Sequence, residues 1–433
     1  MFRSIISLIL FLLLSPSLLT AESGEDWMNY WPQWRGPLST GAAPDGNPPH
    51  EWNEEKNIRW KVRLPGTGYS TPAIWGNNIF STAAIPPENY TPPGRRESPT
   101  QAVKYIVMAL NRSNGQVLWE QLALEEVPHA GQHETSTWAT CSPITDGKRV
   151  YAFFGSRGLY CYTIEGDLIW EKDFGDMRIR RSFGEGSSPV LYKDRLIVNW
   201  DHEGQSFIVA LNVATGEEIW RTERDEGTTW MTPLVVEEAG QPQVICSGTK
   251  RVRSYDLSSG KLLWDGEGLT ANVIPSPVSS DGVVYVISGF RGSVLRAIRL
   301  SAAKGNIDGS SAVLWSYDQG TPYVPSPLLH NGILYFLKDN KGILTSINVA
   351  TGAPFYENQR LEGIRDIYAS PVGVQDRVYL LSRDGVTMVI SHGEKYEVLA
   401  TNSLDDSFDA SPVIVGDELF LRGHTYLYCI AQP

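Results

Sequence analysis

The stretch "SPITDGKRVYAFFGSRGLYCYTIEGDLIWE", residues Ser142 to Glu171, contains four short apolar runs separated by three turns. Proline lacks a backbone donor and is best tolerated at the first residues of a strand, so the Ser-Pro pair marks a strand beginning. Asp146-Gly147 is a hairpin signal, because glycine accepts the positive φ that a tight turn requires. The fourth run ends on Trp170 and Glu171. The stretch therefore predicts an antiparallel meander of four strands.

The same arrangement recurs along the chain. Six of the seven spacings between consecutive Ser/Thr-Pro prolines are 41 to 50 residues, and the longer spacing contains a proline-rich insertion from Ala83 to Lys104. A repeated four-stranded meander of this period predicts an all-β fold, an eight-bladed β-propeller. The eight dipeptides are Thr71-Pro72, Ser142-Pro143, Ser188-Pro189, Thr232-Pro233, Ser276-Pro277, Ser326-Pro327, Ser370-Pro371 and Ser411-Pro412.

The last repeat is one strand short. Its start at Ser411 leaves room for only three strands before Pro433. The segment "NIRWKV", Asn57 to Val62, has the form of a fourth strand and precedes the first repeat. We expect it to complete the eighth blade, because closing the ring removes sheet edges that would otherwise promote aggregation.

Aromatic residues mark the fourth strand of most repeats, and we expect their large rings to pack between neighbouring blades. They are Trp119, Trp170, Trp220, Trp264, Trp315 and Tyr356. Cys161 and Cys429 occupy matching positions where other repeats have Ala or Ser, which indicates a small buried side chain. Cysteines scattered over different blades make a disulfide improbable, although a pairing of Cys141 with Cys161 stays open.

The N-terminus has the pattern of a secretory signal peptide. Arg3 precedes an apolar run from Ile5 to Leu14, and small residues lead to a cleavage site near Ala21. The apolar run is shorter than the roughly 20 residues that span a bilayer. We therefore predict a signal peptide (1–21), an N-terminal extension (22–56) and a propeller (57–433), exported to the periplasm or secreted, with no transmembrane segment in the mature chain.

The charge balance argues against a nucleic-acid partner. The chain has 37 Lys and Arg against 49 Asp and Glu, a formal net charge of −12. Binding to a phosphate backbone requires clustered basic residues.

The segments "GSRGLYCYTIEGDLIWE", "ALNVATGEEIW" and "YDLSSGKLLW" resemble the pyrroloquinoline-quinone (PQQ) type of propeller repeat. The resemblance covers roughly Trp31 to the C-terminus and implies eight blades. The family includes quinoprotein dehydrogenases and the non-enzymatic, BamB-like propeller of the outer-membrane assembly machinery. The segments "WPQWRGP" and "NIRWKVRLPGTGYSTP" are similar to exported bacterial PQQ-like propellers of mostly unassigned activity.

The enzymatic branch of this family implies features that the sequence does not display. Quinoprotein alcohol dehydrogenases have two adjacent cysteines and a calcium site beside a catalytic aspartate. No two cysteines are adjacent here, and no compact acidic motif suited to calcium appears. We therefore expect a non-catalytic scaffold that binds a ligand or a protein, with no metal or cofactor. The alternative is a PQQ-dependent oxidoreductase.

The long connections between blades, such as 121–140, 172–187 and 358–369, are expected to meet at one face of the ring. Arginines and aromatic rings there could hold a planar anionic ligand by forked hydrogen bonds and stacking. The partners expected are such a small anion or an envelope or secreted protein. The alternative is that these charges pair with one another in solvent. The candidate residues are Trp138, Arg178, Arg180, Arg181, Asp201, His202, Trp230, Arg291, Tyr323, Tyr368 and Arg383.

Overall fold

The computed structural model describes residues 25–91, 97 and 99–432. Within them, 33 strands form eight sheets, which are the blades of a closed propeller. The predicted all-β, eight-bladed fold is therefore confirmed. The predicted signal peptide lies outside the described residues.

The strands follow the meander order predicted from the sequence. Blade 1 comprises β2 (Ala73–Trp75), β3 (Asn78–Ile85), β4 (Val103–Asn111) and β5 (Val117–Glu126). Blade 2 comprises β6 (Ile144–Thr145), β7 (Arg149–Phe153), β8 (Leu159–Thr163) and β9 (Leu168–Lys172). Blade 3 comprises β10 (Val190–Tyr192), β11 (Arg195–Trp200), β12 (Ser206–Asn212) and β13 (Glu218–Arg224). Blade 4 comprises β14 (Leu234–Glu238), β15 (Gln241–Cys246), β16 (Arg251–Asp256) and β17 (Leu262–Glu267), with β21 (Gly305–Asn306) added in parallel.

The second half of the ring repeats the pattern. Blade 5 comprises β18 (Val278–Ser280), β19 (Val283–Ser288), β20 (Val294–Arg299) and β22 (Val313–Tyr317). Blade 6 comprises β23 (Leu328–His330), β24 (Ile333–Leu337), β25 (Ile343–Asn348) and β26 (Pro354–Arg360). Blade 7 comprises β27 (Val372–Val374), β28 (Arg377–Leu381), β29 (Val386–Ser391) and β30 (Val398–Ser403). Blade 8 comprises β31 (Val413–Val415), β32 (Glu418–Arg422), β33 (Tyr426–Ile430) and β1 (Ile58–Arg63). The helical segments are α1 (Glu25–Met28) and the 3-10 turns Gly155–Arg157, Arg180–Ser182 and Leu300–Ala302.

The ring closes as predicted. Strand β1 pairs antiparallel with β33, with Trp60 opposite Cys429 and Arg63 opposite Tyr426. One blade is thus built from both ends of the propeller sequence, so separating β1 from β33 would open the ring.

Outer-strand tryptophans join neighbouring blades. The Trp220 indole donates to the Leu257 carbonyl of the next blade at 2.8 Å. Its ring covers Gly260, where an added Cβ would lie 2.4 Å from the indole. Glycine is required there, because the space is filled and φ is +69°. The same indole-to-carbonyl bond to the next blade is made by Trp60, Trp119, Trp170 and Trp315.

Trp264 is an exception, since its indole donates at 3.0 Å to the Gln243 side chain of its own blade. The four cysteines all lie in the described part of the chain, where they are buried and unpaired. Burial raises the pKa of the Cys161, Cys246 and Cys429 thiols to about 12. These thiols are therefore packing groups, which for Cys161 and Cys429 confirms the small buried side chain predicted from the repeat.

The N-terminal extension closes one end of the central channel. Segment 31–43 bonds through its backbone to the innermost strands of four blades, at Ile74, Thr145, Leu329 and Gly373. Each of these residues is the third after the Ser or Thr that begins its repeat. Four blades thus hold the segment at equivalent positions, so we call residues 31–43 the axial plug.

Arg35 fastens the axial plug. Its guanidinium is buried and donates to the carbonyls of Pro327 and Pro371, at 2.9 and 2.8 Å, in blades 6 and 7. Burial lowers its pKa to about 9, because a charge is costly in a low-dielectric surrounding. The extension is therefore an integral part of the propeller's core.

Candidate functional site

The eight Ser and Thr residues of the Ser/Thr-Pro dipeptides form a closed ring of hydrogen bonds around the propeller axis. The backbone N–H of each residue donates to the side-chain hydroxyl oxygen of its counterpart in the next blade, over 2.9 to 3.2 Å. The last bond, from Ser411 N–H to Thr71 Oγ1, closes the circle at 3.2 Å. We call these eight side chains the hydroxyl ring.

A cavity of about 390 Å³ lies on the axis, lined by six members of the hydroxyl ring. Trp34 of the axial plug also lines it and donates from its indole to Ser276 Oγ at 3.2 Å. The cavity therefore has the plug and the hydroxyl ring at one end. The connections between blades form its other walls.

One position in each repeat supplies the cavity wall. The residue two places before the Ser or Thr of every dipeptide lines the cavity. This position therefore contributes one side chain or glycine from each blade to the cavity, and these residues differ in size and polarity. The eight residues are Tyr69, Thr140, Gly186, Trp230, Ile274, Val324, Tyr368 and Asp409.

Aromatic rings dominate the walls. Phe290 and Tyr323 stack with their centroids 4.5 Å apart. Phe183 contacts Trp230 edge to face at 6.1 Å, and the Trp230 indole is fixed by a 2.7 Å bond to the Gly184 carbonyl. These contacts hold flat apolar faces rigidly against the cavity.

Asp409 is a carboxylate that lines the cavity, and two side chains contact it. Arg383 and the His424 ring lie 2.9 and 2.8 Å from its oxygens. Arg383 also covers the Tyr368 ring at 4.3 Å, while Tyr69 stacks on His424 at 4.7 Å. Burial, reinforced by the charge of Asp409, raises the pKa of Tyr69 to about 12. On this side of the cavity the charge of Asp409 is therefore compensated by Arg383.

Glu185 is the second carboxylate that lines the cavity. It accepts hydrogen bonds from the Ser156 hydroxyl at 2.5 Å and the Ser156 backbone N–H at 2.6 Å. Burial raises its pKa, and this effect outweighs the hydrogen bonds to Ser156, which lower it. The Glu185 carboxyl is therefore harder to ionise than a carboxyl exposed to solvent.

Four of the predicted residues lie at or beside the cavity. Trp230, Tyr323 and Tyr368 line it, and Arg383 lies against Tyr368. Trp138 lines a smaller neighbouring pocket of about 40 Å³. Trp138 stands four residues before its dipeptide rather than two, so it falls outside the ring of wall positions.

The predicted convergence of arginines at this cavity is not found. Arg178 donates to the Glu203 carbonyl at 2.8 Å, and Arg180 pairs with the Glu203 carboxylate at 3.1 Å. Arg181 is exposed, and Arg291 is exposed over the Phe290 ring at 5.3 Å. Among the described residues, no Lys or Arg lines the cavity. The alternative holds for Arg180, because a nearer carboxylate pairs with its charge.

Asp201 and His202 have structural partners away from the cavity. Asp201 forms a fully buried, two-pronged pair with Arg224, at 2.8 and 3.0 Å. Burial lowers the pKa of Arg224, but the charge of Asp201, its hydrogen bonds and the neighbouring Tyr255 and Cys246 together raise it above its usual value. His202 accepts a backbone hydrogen bond from Arg178 at 2.9 Å. Both side chains therefore order a loop of blade 3.

Sequence reasoning missed Trp34, Tyr69, Phe290 and Asp409 as cavity residues. For Tyr69 and Asp409 a signal existed, since both stand two residues before a Ser/Thr-Pro dipeptide. Trp34 reaches the cavity from a segment outside the repeats, so no periodicity could place it.

The comparisons with known proteins agree with the geometry. The family model described as outer membrane protein assembly factor BamB matches residues 44–205 and 204–432. The fold is similar to BamB from Moraxella catarrhalis, with 13% identity and a TM-score of 0.57, covering 86% of this chain and 96% of that one. It is also similar to a europium-containing methanol dehydrogenase, with 10% identity and a TM-score of 0.62, covering 92% and 90%.

A third similar structure is the computationally designed Ika8 protein, with 13% identity, a TM-score of 0.54 and coverage of 85% and 99%. At these identities the likeness to solved structures concerns the fold alone. No curated protein matches the sequence significantly. Within the described ranges, none of the helices is both long and apolar enough to cross a membrane.

Proposed function

Because the chain belongs to the family of outer membrane protein assembly factor BamB, we propose that it is an exported binding scaffold without catalysis of its own. Its binding surface is the face formed by the connections between blades, with the axial cavity at the centre. A scaffold of this kind takes protein partners from the cell envelope or holds a small ligand in the cavity.

The axial cavity is the observation that carries this proposal. Its volume of about 390 Å³ falls within the range of about 300–1,000 Å³ usual for ligand sites. It is walled by rigid aromatic rings and contains a few fixed polar groups, the usual composition of such sites. The axial plug closes one end, so a ligand enters from the loop-rich face.

A PQQ-dependent oxidoreductase is the second candidate, favoured by the likeness to the methanol dehydrogenase fold. The cavity does not suit this cofactor. PQQ carries three carboxylates, whereas the described lining has the carboxyl groups of Asp409 and Glu185 and no Lys or Arg. Arg383, the nearest guanidinium, already pairs with Asp409. The charge of the cavity therefore disfavours a trianion.

A blocked cavity tests the scaffold proposal. Gly186 lines the cavity with a φ that other residues accept, and an added Cβ would meet Trp230 and Thr140 at 3.4 and 3.6 Å, ordinary contact distances. Gly186→Leu should fill part of the cavity while leaving the fold intact. In a thermal-shift screen of envelope peptides and small molecules, a true ligand should stabilise the unblocked protein alone. At 100 times Kd the stabilisation is about 2.7 kcal/mol.

If no compound distinguishes the two proteins, the cavity is not a binding site and the small-ligand form of the proposal falls. Titration with PQQ and Ca²⁺, followed by absorbance and by alcohol-dependent dye reduction, tests the enzymatic alternative. We expect neither stoichiometric uptake nor dye reduction. Both together would overturn the scaffold proposal.

A further inference from the structure

We propose that the axial cavity binds a neutral carbohydrate of one or two sugar units, an inference that rests on the proposed scaffold function. The ligand class follows from three features of the cavity: its flat aromatic walls, a ring of hydroxyl donors, and charges that are already compensated. Each of these features restricts the class of ligand that the cavity can bind.

The walls suit the faces of a pyranose ring. The C–H groups on one face of a sugar pack against an aromatic ring, so a site for sugars presents flat, fixed rings. Trp34, Trp230 and the Phe290–Tyr323 stack provide such surfaces from four separate segments of the chain. The indoles of Trp34 and Trp230 are each fixed by a hydrogen bond to the protein.

The hydroxyl ring supplies donors. Each ring oxygen accepts a backbone N–H, and the part of the chain that the structure describes provides no acceptor for the ring O–H groups. Ser142, Ser188, Ser326 and Ser370 are more than nine-tenths buried and line the cavity. A buried hydroxyl proton without an acceptor is costly. Sugar hydroxyl and ring oxygens are acceptors of suitable size and spacing.

An amide adds to this set. Asn340 lines the cavity and accepts a backbone bond from Val324 at 3.0 Å through Oδ1. Its Nδ2 group is thereby oriented and can donate to a ligand. A polyhydroxylated ligand uses both donors and acceptors, which the cavity offers together.

The charges exclude ions as the preferred ligand. A carboxylate or phosphate ligand would favour a lining with Lys or Arg, and neither is present among the described lining residues. A cation would require an uncompensated carboxylate. Asp409 is paired with Arg383 and lies beside the His424 ring. Glu185 is buried, and its oxygens already accept hydrogen bonds from Ser156. The ligand that remains is uncharged and polar.

Isothermal titration calorimetry with maltose and cellobiose tests the inference. We expect one site per chain for at least one of them. Trp230→Ala should weaken binding about tenfold or more, since it removes one stacking face. Trp138→Ala is the matched control: this tryptophan also precedes a Ser/Thr-Pro dipeptide but lies outside the cavity, and its loss should change affinity less than about twofold. Circular dichroism confirms that both variants fold.

Glucuronate and glucosamine provide the charged comparisons. The inference is overturned if neither disaccharide binds at about 10 mM, or if a charged sugar binds as tightly as the neutral ones. Retention on insoluble amylose or cellulose would identify the end of a polymer as the source of the sugar, and binding of the soluble sugar alone would identify a free one. If another compound binds and Gly186→Leu abolishes that binding, the scaffold proposal stands and the carbohydrate inference fails.

Discussion

Replacing Ser188 by alanine should break one bond of the hydroxyl ring and leave the remaining seven intact. The Ser188 hydroxyl accepts the backbone N–H of Ser142 at 2.9 Å. The backbone N–H of Ser188 donates to the Thr232 hydroxyl, and the substitution leaves this N–H in place. Ser142 is 3% exposed, so its N–H would lose its acceptor in a buried position.

The magnitude follows from this orphaned donor. A buried polar group left unsatisfied costs about 1–3 kcal/mol. The unfolding entropy of globular proteins is about 2.1 cal/mol/K per residue near 60 °C. For roughly 400 residues this gives about 0.8 kcal/mol/K, so the Tm should fall by roughly 1–4 °C.

Differential scanning calorimetry measures this shift, and the chain itself supplies the control. Threonine occupies the equivalent position at Thr71 and Thr232, where its hydroxyl accepts the same kind of bond. Ser188→Thr should therefore keep the Tm within about 1 °C of the parent, the scale of a few tenths of a kcal/mol. Equal Tm values for the alanine and threonine variants would show that the ring bond does not stabilise the propeller.

Three further outcomes are expected. Gly216→Ala should destabilise the protein more than Gly240→Ala. Both glycines have positive φ, but only at Gly216 would the added Cβ lie 2.7 Å from an indole, that of Trp170. Equal urea midpoints (Cm) for the two variants would refute this. Asp201→Asn should lower the free energy of unfolding by about 3–5 kcal/mol by leaving Arg224 charged and buried, a loss that urea titration would reveal. Burial lowers the pKa of His392 from 6.5 to about 4, so neutral His392 stabilises the fold fully above pH 6.5, and this contribution is lost as the pH falls toward 4. The urea midpoint Cm, measured across this range, should therefore fall less in His392→Gln than in the parent protein. Parallel profiles of the two proteins would contradict this role of His392.

The site was only partly predictable from the repeat. The wall position two residues before each dipeptide is periodic, so Trp230 and Tyr368 were found from the sequence, and Asp409 could have been. The positions of the arginines could not be predicted, because ion pairing depends on which side chain is nearest in space, and their role in holding an anion stays a prediction. Arg180 has Glu203 at 3.1 Å, a residue 23 positions along the chain.

The sequence by itself determined the propeller. Turn residues, proline positions and the spacing of the dipeptides act locally, so they fix eight meanders, and the missing last strand requires that β1 complete the ring. Only the tertiary structure decided the cavity. The hydroxyl ring joins residues 41 to 71 positions apart, and its closing bond spans 340. The axial plug brings Trp34 to Ser276 across 242 positions. Such contacts form only when the blades have closed into a circle, and no local pattern encodes which side chains then share the axis.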